Sequence, residues 1–278
     1  MVDISEVKCS SCLTTVAPEH KFCAECGAPL RADARRRLTD AEVNRLLELS
    51  FGFEIADLLD RAIEAYRTIV DQHPQYADVH YKLGCCYEAQ GDVARAVASF
   101  RRAVAINPRY IDAHRKLGEL YTDEGLYDDA LNEYQAVLQT RLRYGYADVH
   151  NNIGVAHERS GRLAKAMQAY KRAISTNPHF MRAHYNLGNA FLARERCEEA
   201  VIEYRLVLQH EPHDTLCMNN LGIALARLER FEEAAAVLRD AIHNAPEYAR
   251  AHHNLGNVYL DMGDRQKAIG EYQRALEL

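Results

Sequence analysis

Along residues 77–110, apolar positions recur three and four apart in two successive runs. Val79, Leu83, Cys86 and Tyr87 make the first, and Val93, Ala96, Val97, Phe100 and Val104 the second. That spacing places each set on one face of an α-helix, so the pattern predicts two amphipathic helices. Gly91-Asp92 between them supplies a C-terminal stop followed by an N-cap. Asn107-Pro108 closes the second, because proline disfavours helix at the residue before it. The pair is then copied. His80-Tyr81-Lys82-Leu83-Gly84 returns as His114-Arg115-Lys116-Leu117-Gly118, His150-Asn151-Asn152-Ile153-Gly154, His184-Tyr185-Asn186-Leu187-Gly188, Met218-Asn219-Asn220-Leu221-Gly222 and His252-His253-Asn254-Leu255-Gly256, with the glycines 34, 36, 34, 34 and 34 residues apart. A fixed period of this length predicts a repeat architecture. Stacked repeats offer an extended surface rather than one deep pocket.

The first repeat carries Leu83, Gly84, Tyr87, Ala96, Phe100, Ala103 and Pro108. The third carries Ile153, Gly154, His157, Ala166, Tyr170, Ala173 and Pro178, and the fourth Leu187, Gly188, Phe191, Ala200, Tyr204, Val207 and Pro212. The sixth carries Leu255, Gly256, Tyr259, Ala268, Tyr272 and Ala275. This set resembles the tetratricopeptide repeat. The resemblance implies an all-α fold, a right-handed superhelical solenoid of helix-turn-helix repeats. It divides the chain into repeats at 77–110, 111–146, 147–180, 181–214, 215–248 and 249–278. Glycine and alanine where helices cross let two backbones approach while aromatics fill the space beside them. A degenerate capping repeat is expected at 41–76, with Leu49, Ala62, Tyr66 and Pro74 in the matching places and Ser50 replacing the glycine. Residues 31–40 read as a polar linker ending in a helix cap at Thr39 or Asp40. The second repeat has two extra residues and no terminal proline across Gln139–Tyr146. That segment is either a tolerated loop insertion or a contact point built on Tyr144 and Tyr146.

Composition narrows the function. The chain has 278 residues and a formal charge of −6, which argues against a general nucleic-acid binder. Residues 1–40 are charge-balanced, so the deficit lies in the repeats. No stretch approaches about 18 consecutive apolar residues, so no membrane span is expected. The N-terminus lacks the basic and apolar regions of a signal peptide. Eight cysteines without an export signal point to a reducing, cytoplasmic setting.

On the first helix of each repeat, positions 2, 5, 6, 9 and 13 share a face, which the resemblance places on the concave side. Position 6 reads Lys82, Lys116, Asn152, Asn186, Asn220, Asn254. Asparagine offers a donor and an acceptor together, so a ladder of them can pair with a peptide backbone whatever its side chains. Asn189 and Asn257 extend the ladder by one turn, and Arg182 and Tyr185 add charge and stacking. The ladder is similar to the repeat region of the enzyme that attaches N-acetylglucosamine to nuclear and cytoplasmic proteins, where it holds polypeptides. The groove of repeats three to six holds Arg159, Arg182, Arg227 and Arg250 against Asp148 and Asp261, which suits a neutral or mildly acidic ligand. Lys82, Lys116 and Arg115 only partly match the two-carboxylate clamp of chaperone-binding repeats. The recurrent histidines read as packing residues bonded locally, and Cys85, Cys86, Cys197 and Cys217 as small buried side chains. No nucleophile-base arrangement or phosphate loop is present in the sequence, so no enzyme is expected.

Cys9-Ser10-Ser11-Cys12 and Cys23-Ala24-Glu25-Cys26 form two CxxC pairs, a donor set suited to one tetrahedral Zn²⁺, with iron as the alternative. Lys21-Phe22-Cys23-Ala24-Glu25-Cys26-Gly27-Ala28-Pro29-Leu30 resembles the short zinc ribbon that opens many bacterial multidomain proteins. The expectation is a structural four-cysteine zinc ribbon over 1–30 with ligands Cys9, Cys12, Cys23 and Cys26. Together these features predict a non-enzymatic adaptor that binds an extended protein segment, with self-association through the C-terminal helix as a second expected contact. The alternative is a regulatory module of nucleic-acid machinery whose ribbon touches DNA or RNA.

Overall fold

The computed structural model describes residues 7–8, 15–16, 38–55, 58–140 and 146–278. The chain divides into two compact units, Met1–Gly91 and Asp92–Leu278.

The first unit opens with two short antiparallel strands, β1 (Val7–Lys8) and β2 (Thr15–Val16), which pair Val7 with Val16 and Lys8 with Thr15. Three helices follow: α1 (Asp40–Ile55), α2 (Leu59–Gln72) and α3 (Ala77–Ala89). Thr39 caps α1 reciprocally. Its Oγ1 accepts from the Glu42 backbone N–H, and the Glu42 carboxylate accepts from the Thr39 N–H at 2.8 Å, so two of the helix's orphan donors are satisfied. Ala62 and Tyr66 are buried where the repeat pattern puts them. Leu49 is not: it is 45% exposed, and Val43 and Ser50, seven residues apart, turn inward instead. The buried Ser50 hydroxyl donates to the Leu46 carbonyl at 2.6 Å. Seven residues are almost two whole turns, so α1 buries a different stripe from the one that alignment on Leu83 implies.

The second unit is an array of eleven helices: α4 (Val93–Ile106), α5 (Ile111–Asp123), α6 (Tyr127–Gln139), α7 (Ala147–Arg159), α8 (Leu163–Thr176), α9 (Met181–Ala193), α10 (Cys197–His210), α11 (Thr215–Arg227), α12 (Phe231–Asn244), α13 (Ala249–Asp261) and α14 (Arg265–Glu277). Within this unit each helix packs on its neighbours in the chain, and α5, α7, α9, α11 and α13 also touch in succession. Asp92, Asp214 and Asp264 cap α4, α11 and α14 by accepting a backbone N–H three residues on. Tyr134, Tyr170, Tyr204 and Leu238 fill the crossings completely. A Cβ built on Gly188 would lie 2.7 Å from the Tyr204 ring, and one on Gly222 would lie 2.6 Å from Leu238. The glycine of each of these repeats is therefore a seat for the large side chain of its second helix.

The two extra residues of the second repeat lie between α6 and α7, leaving both helices at 13 residues. Tyr144 lies outside the described residues. Tyr146 is half-buried, and its hydroxyl turns back onto the Thr140 carbonyl and hydroxyl. It fastens its own connection rather than presenting a free ring. Cys86, Cys197 and Cys217 are buried and Cys85 is partly so. No described helix is long and apolar enough to cross a membrane.

Candidate functional site

Helices α5, α7, α9, α11 and α13 carry positions 2, 5, 6, 9 and 13 along one face of the second unit. In α5 and α7 the charges on this face neutralise one another. Arg115 bridges Asp112 at 2.9 Å and Asp148 at 3.1 Å. Lys116 lies 3.8 Å from Glu119, which also accepts from Asn152 Nδ2 at 3.3 Å. Arg159 pairs with Asp123 at 2.6 Å. Glu119, Asp123, Asn152 and Arg159 line a small cavity of 140 Å³.

From α9 onward amides make the hydrogen bonds between successive helices of this face. Asn186 Nδ2 donates to Asn151 Oδ1 at 2.8 Å, and Asn254 Nδ2 donates to Asn219 Oδ1 at 2.7 Å. Between these, Asn220 Nδ2 donates to the Tyr185 hydroxyl at 3.1 Å and to Asn189 Oδ1 at 3.0 Å. Tyr204 donates to Asn189 at 2.7 Å and Tyr272 to Asn257 at 2.8 Å. Asn186, Asn220 and Asn254 therefore each grip the preceding repeat through the amide nitrogen. For Asn186 and Asn254 these bonds leave Oδ1 as an acceptor. Asn151 and Asn219, buried at 1% and 3% exposure, are the hidden partners of the ladder. Reading position 6 alone misses them. The signal lies one residue earlier, at position 5, where Asn151 and Asn219 alternate with Arg115, Tyr185 and His253.

Arg182 and Arg250 stand at position 2 of α9 and α13. Both are exposed. Among the described residues neither has a salt bridge, a hydrogen bond or an aromatic partner. By contrast, Arg227 at position 13 of α11 donates to the Leu192 carbonyl at 3.0 Å. Arg250, His253, Asn254 and Asn220 line a cavity of 540 Å³ together with Ile223.

The histidine row has a repeated geometry. His114 Nδ1 meets Glu133 at 2.6 Å and Nε2 meets the Pro108 carbonyl at 3.1 Å. His184 does the same with Glu203 and Pro178, and His252 with Glu271 and Pro246. A carbonyl oxygen can only accept, so Nε2 donates; at His114 and His184 the carboxylate at Nδ1 favours a second proton. The glutamate hydrogen bonds hold His114 and His184 above the ordinary imidazole range, against the opposing effect of burial. His80 in the first unit keeps the carbonyl contact, to Pro74 at 3.2 Å. Each of these four histidines ties the turn before its helix to that helix.

Lys82 lies on α3 in the first unit, beside an 800 Å³ cavity lined by Val43, Leu47, Tyr66, Tyr76 and Asp78. Lys116, Asn152, Asn186, Asn189, Asn220, Asn254, Asn257, Arg182 and Tyr185 lie on the face that α5, α7, α9, α11 and α13 share in the second unit. Cys9, Cys12, Cys23 and Cys26 lie outside the described residues. In sequence, Cys9 and Cys12 fall between the paired strands β1 and β2.

A tetratricopeptide repeat family model matches residues 56–111, 115–179 and 219–278, and a second of the same description matches 159–217. Among solved structures, a tetratricopeptide repeat protein from Parabacteroides merdae superposes with a TM-score of 0.66 at 18% identity, covering 84% of this chain and 92% of that one. PilF from Pseudomonas aeruginosa gives 0.60 at 22%, covering 70% and 88%. YrrB, described as a TPR protein with an unusual peptide-binding site, gives 0.56 at 20%, covering 69% and 98%. At these identities the likeness speaks to fold. A search of curated proteins finds no match.

Proposed function

Because the chain belongs to the tetratricopeptide repeat family, we propose that it is a non-enzymatic adaptor that holds an extended protein segment along the inner face of its repeats. The observation that carries this reading is the amide ladder of α9, α11 and α13. Its nitrogens are anchored on the neighbouring repeat, so the Oδ1 acceptors of Asn186 and Asn254 are held at fixed positions. Pre-organised polar groups cost little entropy on binding. Lys116, Asn152, Asn189, Asn257 and Tyr185 extend the same strip, and Lys82 carries position 6 in the first unit. The peptide-binding description of YrrB agrees with this reading.

The test is selection of a random dodecapeptide display library on the full chain. Peptides retained by the wild type should be lost by the Asn186→Ala, Asn220→Ala double variant while circular dichroism keeps its helical signal. Retention of the same peptides by that variant would remove the ladder from the binding surface.

In the same reading the N-terminal segment holds one structural Zn²⁺ through Cys9, Cys12, Cys23 and Cys26. Four thiolates fill the tetrahedral shell and leave no open position for chemistry, and the β1–β2 pair flanks the first CxxC in sequence. The ribbon serves docking to protein rather than nucleic acid. The exposed apolar side chains of α14 serve contact with a second copy, and the setting is cytoplasmic.

A further inference from the structure

The inner face of the second unit changes character halfway along. In α5 and α7 every cation on that face meets a carboxylate of the array: Arg115 meets Asp112 and Asp148, Lys116 meets Glu119, and Arg159 meets Asp123. In α9, α11 and α13 positions 2, 5, 6, 9 and 13 hold three arginines and one aspartate, Asp261. Arg182 and Arg250 are exposed and unpaired among the described residues. An ion pair already closed within the array has little left to offer a ligand. An open guanidinium with five N–H donors can still take a carboxylate bidentately.

The two open arginines are equivalent. Each begins the same series on its helix: Arg182, Tyr185, Asn186, Asn189 on α9, and Arg250, His253, Asn254, Asn257 on α13. Offsets of three, four and seven put each series on a single helical face. Each series joins a cation to a ring, to an amide oxygen not used by the helix-to-helix bond, and to a second amide. The helix between them, α11, carries Leu216 at position 2 and repeats no such series.

We propose that α9, α11 and α13 bind an acidic extended segment whose carboxylates meet Arg182 and Arg250; the proposal rests on the groove reading above and specifies its partner. Neighbouring helices pack about 8–10 Å apart, so α9 and α13, with α11 between them, set the arginines about 16–20 Å apart. An extended chain rises about 3.3 Å per residue. The two acidic residues of the segment therefore lie about five to six positions apart, with Asn186 and Asn254 accepting backbone N–H groups beside them.

The dodecapeptide library tests this separately from the groove reading. Wild-type selections should be enriched in Asp or Glu pairs about five to six positions apart. An enriched peptide should bind the Arg182→Gln and Arg250→Gln variants roughly tenfold more weakly each, in fluorescence anisotropy. The Arg182→Glu, Arg250→Glu double variant should select Lys or Arg at the same spacing, a result that only a folded and functioning groove can give. Peptides that depend on Asn186 and Asn220 but show no acidic excess, or acidic peptides indifferent to both arginines, would overturn the proposal and leave the groove reading standing. Failure of the asparagine variant to lose any selected peptide would overturn both.

Discussion

Glu195 and Glu229 turn the chain where Gly125, Gly161 and Gly263 do so in neighbouring repeats. Their φ values are 59° and 58°, in the left-handed region where glycine is at ease and other L-residues are not. Glu195→Gly and Glu229→Gly should each stabilise the array by about 1 kcal/mol, measured as a higher urea midpoint. An unchanged or lower midpoint would mean that local contacts of the glutamates outweigh the backbone cost. The histidine clamps make a second prediction at this scale. The folded-state pKa of His114 and His184 lies above the unfolded value of about 6.5. Their contribution is thus complete below that value and is lost as pH rises through the folded pKa. His150 and His157 have the opposite sign, because burial lowers their pKa and their contribution is lost as pH falls. The difference between wild type and a Glu133→Gln, Glu203→Gln variant isolates the clamps. The wild type should hold its full stability advantage below the unfolded value and lose it as pH rises through the raised folded-state pKa; a difference that stays constant as pH rises would assign the clamps no titrating role.

Pairs of helices reveal a longer period than the repeat itself. The α7–α9 and α11–α13 contacts each join a buried asparagine to a ladder asparagine. The α9–α11 contact instead joins Asn220 to Tyr185 and Asn189. The array thus alternates two kinds of interface. A double-mutant cycle on Asn219 and Asn254 should give a coupling of about 1 kcal/mol, because removing either leaves its partner's polar group unsatisfied. The same cycle on Asn186 and Asn219, which share no bond, should give coupling near zero; equal values would refute the alternation. The simple period was legible in residues such as Gly188 and Tyr204 because every crossing needs the same small seat and large filler. The alternation was not, because matching each repeat to one pattern averages neighbours that differ. Leu49 escaped for a related reason. Alignment assigns it the place of Leu83, yet α1 has serine at the glycine seat and buries Val43 and Ser50 instead. At the groove, the residues of the ladder were readable from spacing. Their mutual hydrogen bonds, and the openness of Arg182 and Arg250, depend on which neighbour each side chain reaches across two repeats.

For the molecule as a whole, the metal and the array should be separable. Elemental analysis should give one zinc per chain, and chelation should leave the helical circular dichroism nearly intact, since fourteen described helices owe their packing to residues after position 38; a large helical loss would tie the ribbon to the array. The far end of the array bears on assembly. Val201 on α10 is 4% exposed, and α10 packs against α11. Its counterpart on α14, Ile269, is 56% exposed, and Leu276, two turns further along the same helix, is 87% exposed. Exposed apolar surface of this kind favours burial against another chain by roughly 25 cal/mol per Å² removed from water. Light scattering on the full chain should therefore show mass rising with concentration, and Ile269→Glu with Leu276→Glu should return it to the monomer value without altering the selected peptides. A monomer at all concentrations would take α14 out of the assembly, and a variant that still associates would place the contact elsewhere on the molecule.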